Sequence, residues 1–308
     1  MRDELIKIFT LVYLSIVWGT TWVAIKYSLD GVPPFLGAML RFMVALVCLW
    51  GYMIIRKISF KPLPGVFKYV FWSAVLLYLF DYGLIYWGEQ YLNAGVTAIF
   101  FATFPLLTGV VSNFLFKNEA FQWGKYIGLT IGFFGIIVVF YDQMLITDFD
   151  GMVIWASLAI LASALAAALS FVMVKKHLSG METVSMTFHQ MVWGVIILGV
   201  IGLARGEAAD VIWVDESILA ILYMGIFCTA LAFVLYYAQL KKMSAISLSS
   251  IIYVNPLVAV FSGWILLDEA VTTRIVIGTI IIFAGIAISQ LQDYQHVMKR
   301  WFTKSIAE

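Results

Sequence analysis

The chain has 308 residues, 63% of them hydrophobic and 12% charged, and its formal net charge is +1. Soluble domains carry about 25% charged residues, so this composition excludes a soluble fold and identifies an integral membrane protein. Basic residues stand singly between apolar runs and never form a patch, which sets nucleic acid aside as a partner.

Splitting the chain at charged and turn-forming clusters predicts ten apolar spans, at about residues 9–28, 34–55, 68–88, 93–116, 123–141, 152–174, 184–204, 216–239, 244–267 and 274–290. None shows the strict alternation of barrel strands, so an all-α membrane protein is expected. Arg2 and Lys7 precede a first run that is too long for a signal peptide and lacks a small-residue exit; it reads as a retained span. The connections are short, leaving no room for a soluble domain, so function must sit in the membrane. Cys48 and Cys228 both lie in apolar runs, with neither a disulfide framework nor a metal cluster around them, and no cofactor is expected.

Most of the 19 lysines and arginines, among them Lys57, Lys117, Lys125, Lys176 and Lys241, fall on one side of the predicted spans, while Arg205 and Arg274 fall on the other. Both termini are therefore expected in the cytoplasm. Asp142, Asp148, Asp150, Glu207, Asp210, Asp215 and Glu216 fall in loops of the opposite side. In the tail, residues 291–308, Tyr294, Val297, Met298, Trp301 and Phe302 recur at helical spacing; an interfacial helix and a disordered end are both open there.

Residues 93–119 return in degenerate form at 244–269. Ala94 matches Ala245, Pro105 matches Pro256, and Glu119 matches Glu269 after a one-residue slip. Tyr86 pairs with Tyr237 ahead of the block, and Gly128 and Gly135 pair with Gly278 and Gly285 behind it. W-G-T-T-W-V-A-I-K at 18–26 also lies over A-A-L-S-F-V-M-V-K at 167–175. Ten spans divide into two fives, and an odd number forces the second five to start from the opposite side. The expected organisation is a 5+5 inverted repeat, residues 1–141 and 152–290, with a substrate site near the midplane where the halves meet.

Polar groups inside apolar runs are the candidate site. Arg41 lies ~10 Å below the outer surface by helical rise, and Asp81, counted from the other side, reaches the same depth. Neither has an opposite charge on its own helix. A hydrogen-bonded pair between them, a bridge through water or a zwitterionic substrate, and a purely structural role are the readings open. Tyr78, Tyr82 and Tyr86 recur every four residues beside Asp81, which suits ordinary packing or, since hydroxyls and a carboxylate are costly against lipid, a cavity-facing stripe. Trp18 and Trp22 share a face and suit either stacking on substrate or core packing. His189 and Gln190 occupy the repeat position of Arg41; Asn255, Thr97, Ser249 and Gln239 are further polar contacts. Lys26 and Lys175 end their spans, where snorkelling to water is expected. Pro105 and Pro256 kink their helices, as gate hinges or as static bends. Glu119 and Glu269 sit at span exits and read as solvated or capping groups.

Ten short spans in two fives, W-G-x-x-W-x-x-x-K in the first, P-P-x6-R-F in the second and paired A-x10-P-L blocks in the fourth and ninth resemble the drug/metabolite transporter superfamily and its EamA-type family. The resemblance covers nearly the whole chain. It implies export or uptake of small metabolites such as amino acids across the inner membrane, with export expected here, through a cavity lined by spans 1–4 and 6–9. Spans 5 and 10 would stand aside, in contact through small residues. The expected function is a secondary transporter working by alternating access, and not an enzyme. An intramembrane enzyme, a channel and a membrane assembly factor are the alternatives. With only His177, His189 and His296 and neither H-E-x-x-H nor G-x-S-x-G, metal and serine chemistry lack their settings. No Walker A pattern occurs, so a gradient supplies the energy, with proton, sodium and simple facilitated flow open, as is the oligomeric state.

Overall fold

The computed structural model describes residues 2–61, 65–116, 123–146, 151–242, 248, 254–285 and 287–288. Among them there is no strand. In a bilayer the backbone must satisfy its own hydrogen bonds, which is why apolar runs of this length become helices. In chain order they are α1 (Arg2–Leu29), α2 (Pro34–Arg56), α3 (Phe67–Gly88), α4 (Ala94–Phe101 and Phe104–Phe116), α5 (Trp123–Ile146), α6 (Gly151–His177), α7 (Thr183–Ala204), α8 (Asp215–Lys241), α9 (Asn255–Leu266) and α10 (Thr273–Gly285). Seven of these contain a stretch long and apolar enough to cross a membrane; α5, α9 and α10 contribute the shorter apolar stretches Thr130–Val139, Asn255–Leu266 and Thr273–Gly285. The expectations placed on Lys117, Glu119, Asp148, Asp150, Ser249 and the tail beyond residue 290 lie outside the described residues.

Local chemistry explains the breaks. Pro105 offers no N–H to the helix before it, and α4 parts at Ala102 and Thr103, where both backbone amides turn back to carbonyls three residues earlier. Pro256 stands in the first turn of α9, where its missing N–H costs nothing. Two other helices widen instead of breaking: α3 is a π-helix over Val75–Gly83, and α8 over Met224–Leu231. Wide turns release carbonyls from the usual ladder. In α8, Phe227 O accepts from Tyr13 Oη at 2.9 Å and Cys228 O accepts from Trp18 Nε1 at 3.0 Å, so α1 satisfies both.

α4 is the most enclosed of the seven candidate spans, with 89% of its apolar window buried, against 33% for α2. It forms the centre, and α2 shows much of its surface outward. α5 and α10 cross each other through glycines, as a Cβ at Gly135 would stand 2.7 Å from Gly278 O and one at Gly285 2.5 Å from Gly128 O. Backbones can approach that closely only without side chains.

The two ends of the bundle are pinned by opposite charges. At one end Lys175 Nζ donates to Leu240 O, Lys241 Nζ to Met181 O and Lys176 Nζ to Leu115 O. Lys175 and Lys241 thus reach carbonyl groups rather than only water, as lysines at helix C-termini do. At the other end carboxylates cap helix N-termini: Glu269 accepts from Ala94 N at 2.6 Å and Gly95 N at 3.1 Å, and Glu207 accepts from Leu36 N at 2.9 Å. Burial pushes the Glu207 carboxyl above its ordinary value, opposed by that amide and by Arg205. Asp142 and Glu207, expected in loops, are both buried. Asp142, near the C-terminal end of α5, lies against Thr272 Oγ1 at 2.7 Å and Arg274 at 3.5 Å, because a buried carboxylate needs such partners.

Candidate functional site

A cavity of about 50 Å³ lies among the helices, room for a few waters. From α1 come Trp18, Thr21, Trp22 and Ile25; from α3, Asp81, Tyr82 and Ile85. Phe101 of α4, Phe171 of α6, Phe233 of α8 and Asn255 of α9 complete the wall. The lining is aromatic with few polar atoms, the usual make-up of a small-molecule site. Three of those polar atoms, Asp81 Oδ1, Trp22 Nε1 and Asn255 Oδ1, are buried with no protein partner. Buried polar groups are normally satisfied, so three orphans around one cavity make it the candidate site.

The π turn of α3 places Asp81 and Tyr82 side by side on that wall. Arg41 of α2 lies one layer behind: its guanidinium stands 4.9 Å from the Tyr82 ring centroid and 5.5 Å from that of Phe42. Fully buried, it donates through Nε to Thr229 Oγ1 at 2.7 Å and through Nη1 to Met224 Sδ at 3.7 Å, leaving Nη2 unpartnered. Arg41 and Asp81 make no ion pair with each other here, so the direct-pair expectation is corrected. The π turn of α8 supplies Thr229 and Met224, and these neutral groups occupy Arg41 where the carboxylate was expected.

Of the other expected residues, Trp18, Trp22 and Asn255 line the cavity. Tyr78 and Tyr86 are fully buried behind it: Tyr78 Oη has no partner, and Tyr86 Oη reaches Met224 Sδ at 3.6 Å. Gln190 is buried against α3, donating to Ser73 Oγ at 2.7 Å, with its own Oε1 free. His189 is spent on its own helix, its Nδ1 2.6 Å from Ser185 O, and is not brought to the cavity. Pro105 and Pro256 begin helical segments beside the lining residues Phe101 and Asn255. Thr97 likewise bonds within its own turn, to Asn93 O at 2.9 Å.

The cavity also contains residues that sequence reasoning passed over: Thr21, Phe101, Phe171 and Phe233. Two had a signal. In the repeat alignment Phe171 lies over Trp22, and Phe233 precedes Tyr237 as Tyr82 precedes Tyr86. Thr21 and Phe101 carried none, since one threonine and one phenylalanine in an apolar run look like packing. Glu89, fully buried at the end of α3 with both carboxylate oxygens unpartnered, was also missed. A lone acid next to a short loop reads as exposed.

Among curated proteins the chain is 26% identical over 276 residues to the uncharacterized transporter YoaV of Bacillus subtilis, covering 90% of this chain and 94% of that one. It is 26% identical over 287 residues to the protein PagO of Salmonella typhimurium, covering 93% of each. A further relative is the uncharacterized inner membrane transporter YedA of Escherichia coli, 25% identical over 263 residues, 84% of this chain and 83% of that one. A solved crystal structure shares the fold with a TM-score of 0.69 at 18% identity, covering 93% of this chain and 97% of its own. The EamA-like transporter family matches at residues 5–141 and again at 154–290, so this multi-pass membrane protein belongs to the EamA-like transporter family.

Proposed function

We propose that this transporter is a secondary carrier in the inner membrane that exports small metabolites such as amino acids by alternating access. Its ten helices are read as ten spans in a 5+5 inverted repeat, residues 1–141 and 152–290, with both termini and the tail 291–308 in the cytoplasm. Two family matches of similar length support that division. So does the cavity wall, which takes the repeat-related residues Trp22 and Phe171, and Tyr82 and Phe233, one from each half.

The observation that carries the reading is the set of orphaned polar atoms at the cavity, Asp81 Oδ1, Trp22 Nε1 and Asn255 Oδ1. Asp81 takes the ammonium of an amino acid or a proton, Asn255 and Trp22 supply neutral hydrogen bonds, and the aromatic walls take the side chain. Arg41 lends its positive field from behind Tyr82 and comes to bind the carboxylate when the walls part. The cavity in this state has room for a few waters, and alternating access moves its walls to admit substrate. Pro105 and Pro256 are the hinges, and a proton or sodium gradient drives the cycle.

Counterflow of labelled amino acids in sealed proteoliposomes tests this, because only a carrier exchanges substrate at equilibrium. Exchange that Asp81→Asn abolishes at normal folded yield supports the reading. Flux without counterflow, or full exchange in Asp81→Asn, overturns it. Orientation is tested separately by single cysteines at Asp148 and Lys176, which label from opposite sides of the membrane if the second five spans are inverted.

A further inference from the structure

Glu89 has no role in the site above, and its surroundings are unlike those of a structural carboxylate. Its side chain is fully buried, and both oxygens lack a hydrogen-bond partner. It caps the C-terminal end of α3, where the helix carbonyls disfavour a negative charge. The charged groups whose fields reach it come from three neighbouring elements: Lys26 of α1, Arg41 of α2 and Glu269 beyond α9. Among the described residues none of them forms an ion pair with it. Tyr86, one turn back on α3, also lies within reach of its field. α6, which packs along this part of α3, has no titratable side chain between Gly151 and Val174, and the first half of α4, Ala94–Phe101, has none either. Lys26 and Arg41 favour the carboxylate, Glu269 opposes it, and burial without a hydrogen bond costs the ionised form several kcal/mol. A bound sodium ion is disfavoured, as it needs several oxygen ligands and would sit in the field of two cations.

Position ties this group to closure of the acidic end. Four residues of loop separate Glu89 from Ala94, the amide that Glu269 caps, and Glu269 itself is one of the charges felt by Glu89. Parting that end would admit water to Glu89 and remove the burial cost of its charge. We propose that Glu89 is a proton-binding carboxylate, taking a proton from water as the acidic end closes and returning it to water as that end opens. The proton adds to one carboxylate oxygen and leaves from it, with no other bond changed. This deepens the carrier reading by naming a proton as the coupled ion, and it rests on that reading only for the link to transport.

The test uses the full chain in lipid nanodiscs without substrate. Backbone hydrogen exchange at Ala94–Thr97, corrected for the intrinsic effect of pH, reports closure between about pH 5 and about pH 9, where a buried carboxyl can titrate. Wild type is expected to gain about tenfold protection toward low pH, with a protonated-carboxyl infrared band that titrates in parallel. Glu89→Gln is expected to stay protected throughout and to lack that band. A flat wild-type profile, or a Glu89→Gln profile that follows wild type, overturns the proposal. If Glu89→Gln yields no folded protein, Glu89→Asp decides: a displaced midpoint supports the assignment and an unmoved one overturns it. Failure of counterflow would defeat the carrier reading while leaving this titration intact, so the two failures are distinguishable.

Discussion

α3 and α8 both widen into a π-helix at mid-span, and they use the widening differently. The α8 segment is satisfied on every side that matters: Tyr13 and Trp18 take its carbonyls, and Thr229 and Met224 hold Arg41. The α3 segment leaves Tyr78 Oη and Asp81 Oδ1 without partners, and Asp81 faces the cavity. A satisfied polar segment rigidifies, whereas an unsatisfied one has bonds still to make. The difference separates a satisfied segment from one whose polar atoms still face an open cavity.

The sharpest way to break that comparison is Asp81→Asn. Loss of a buried charge partner for substrate is expected to cost about 2–5 kcal/mol, at least a ~30-fold fall in affinity. Folded yield, read by size-exclusion profile, should stay near wild type because Asp81 Oδ1 has no protein partner to lose. A collapse of yield would place Asp81 with the scaffold. Thr229→Val makes the opposite test. It strands the Arg41 Nε–H in the interior and should lower stability by about 1–3 kcal/mol, read as a lower thermal midpoint in detergent, while counterflow by the folded fraction persists. Trp18→Phe is intermediate, since Trp18 both binds Cys228 O and lines the cavity; a loss of about 1–2 kcal/mol of stability is expected, together with weaker substrate binding. Tyr13→Phe is the smallest: its hydroxyl serves Phe227 O near the surface, so water replaces it and the cost should be below about 1 kcal/mol by the same melt. A Tyr13→Phe effect larger than that of Thr229→Val would reverse the ranking on which the comparison rests.

Much of the candidate site was legible because polar atoms are rare in apolar runs. Asp81, Tyr82, Trp18, Trp22 and Asn255 stood out by chemistry alone and do meet at one cavity. Arg41 and Asp81 were also placed at one depth by helical rise. Rise gives depth and not direction, so it could not tell that Arg41 turns to Thr229 instead. Gln190 and His189 show the same gap, since one position of difference sends Gln190 to Ser73 and leaves His189 on its own helix.

Composition, run length and the lack of strict alternation by themselves determined the membrane class and the helical backbone, because a bilayer leaves the chain only helices or a closed barrel to satisfy its amides. Pro105 and the glycines of α5 and α10 likewise determined a break and a close crossing, since a missing N–H and a missing side chain act locally. Only the tertiary structure decided where the π turns fall and what faces them. An extra residue in one turn rotates everything beyond it by about 100°, so the side of α3 on which Glu89 emerges follows from packing against α6 and α2 and from no pattern in the residues. The same packing stranded the Glu89 carboxylate in the interior and brought Glu269 to the start of α4, contacts between segments far apart in the chain that no local spacing encodes.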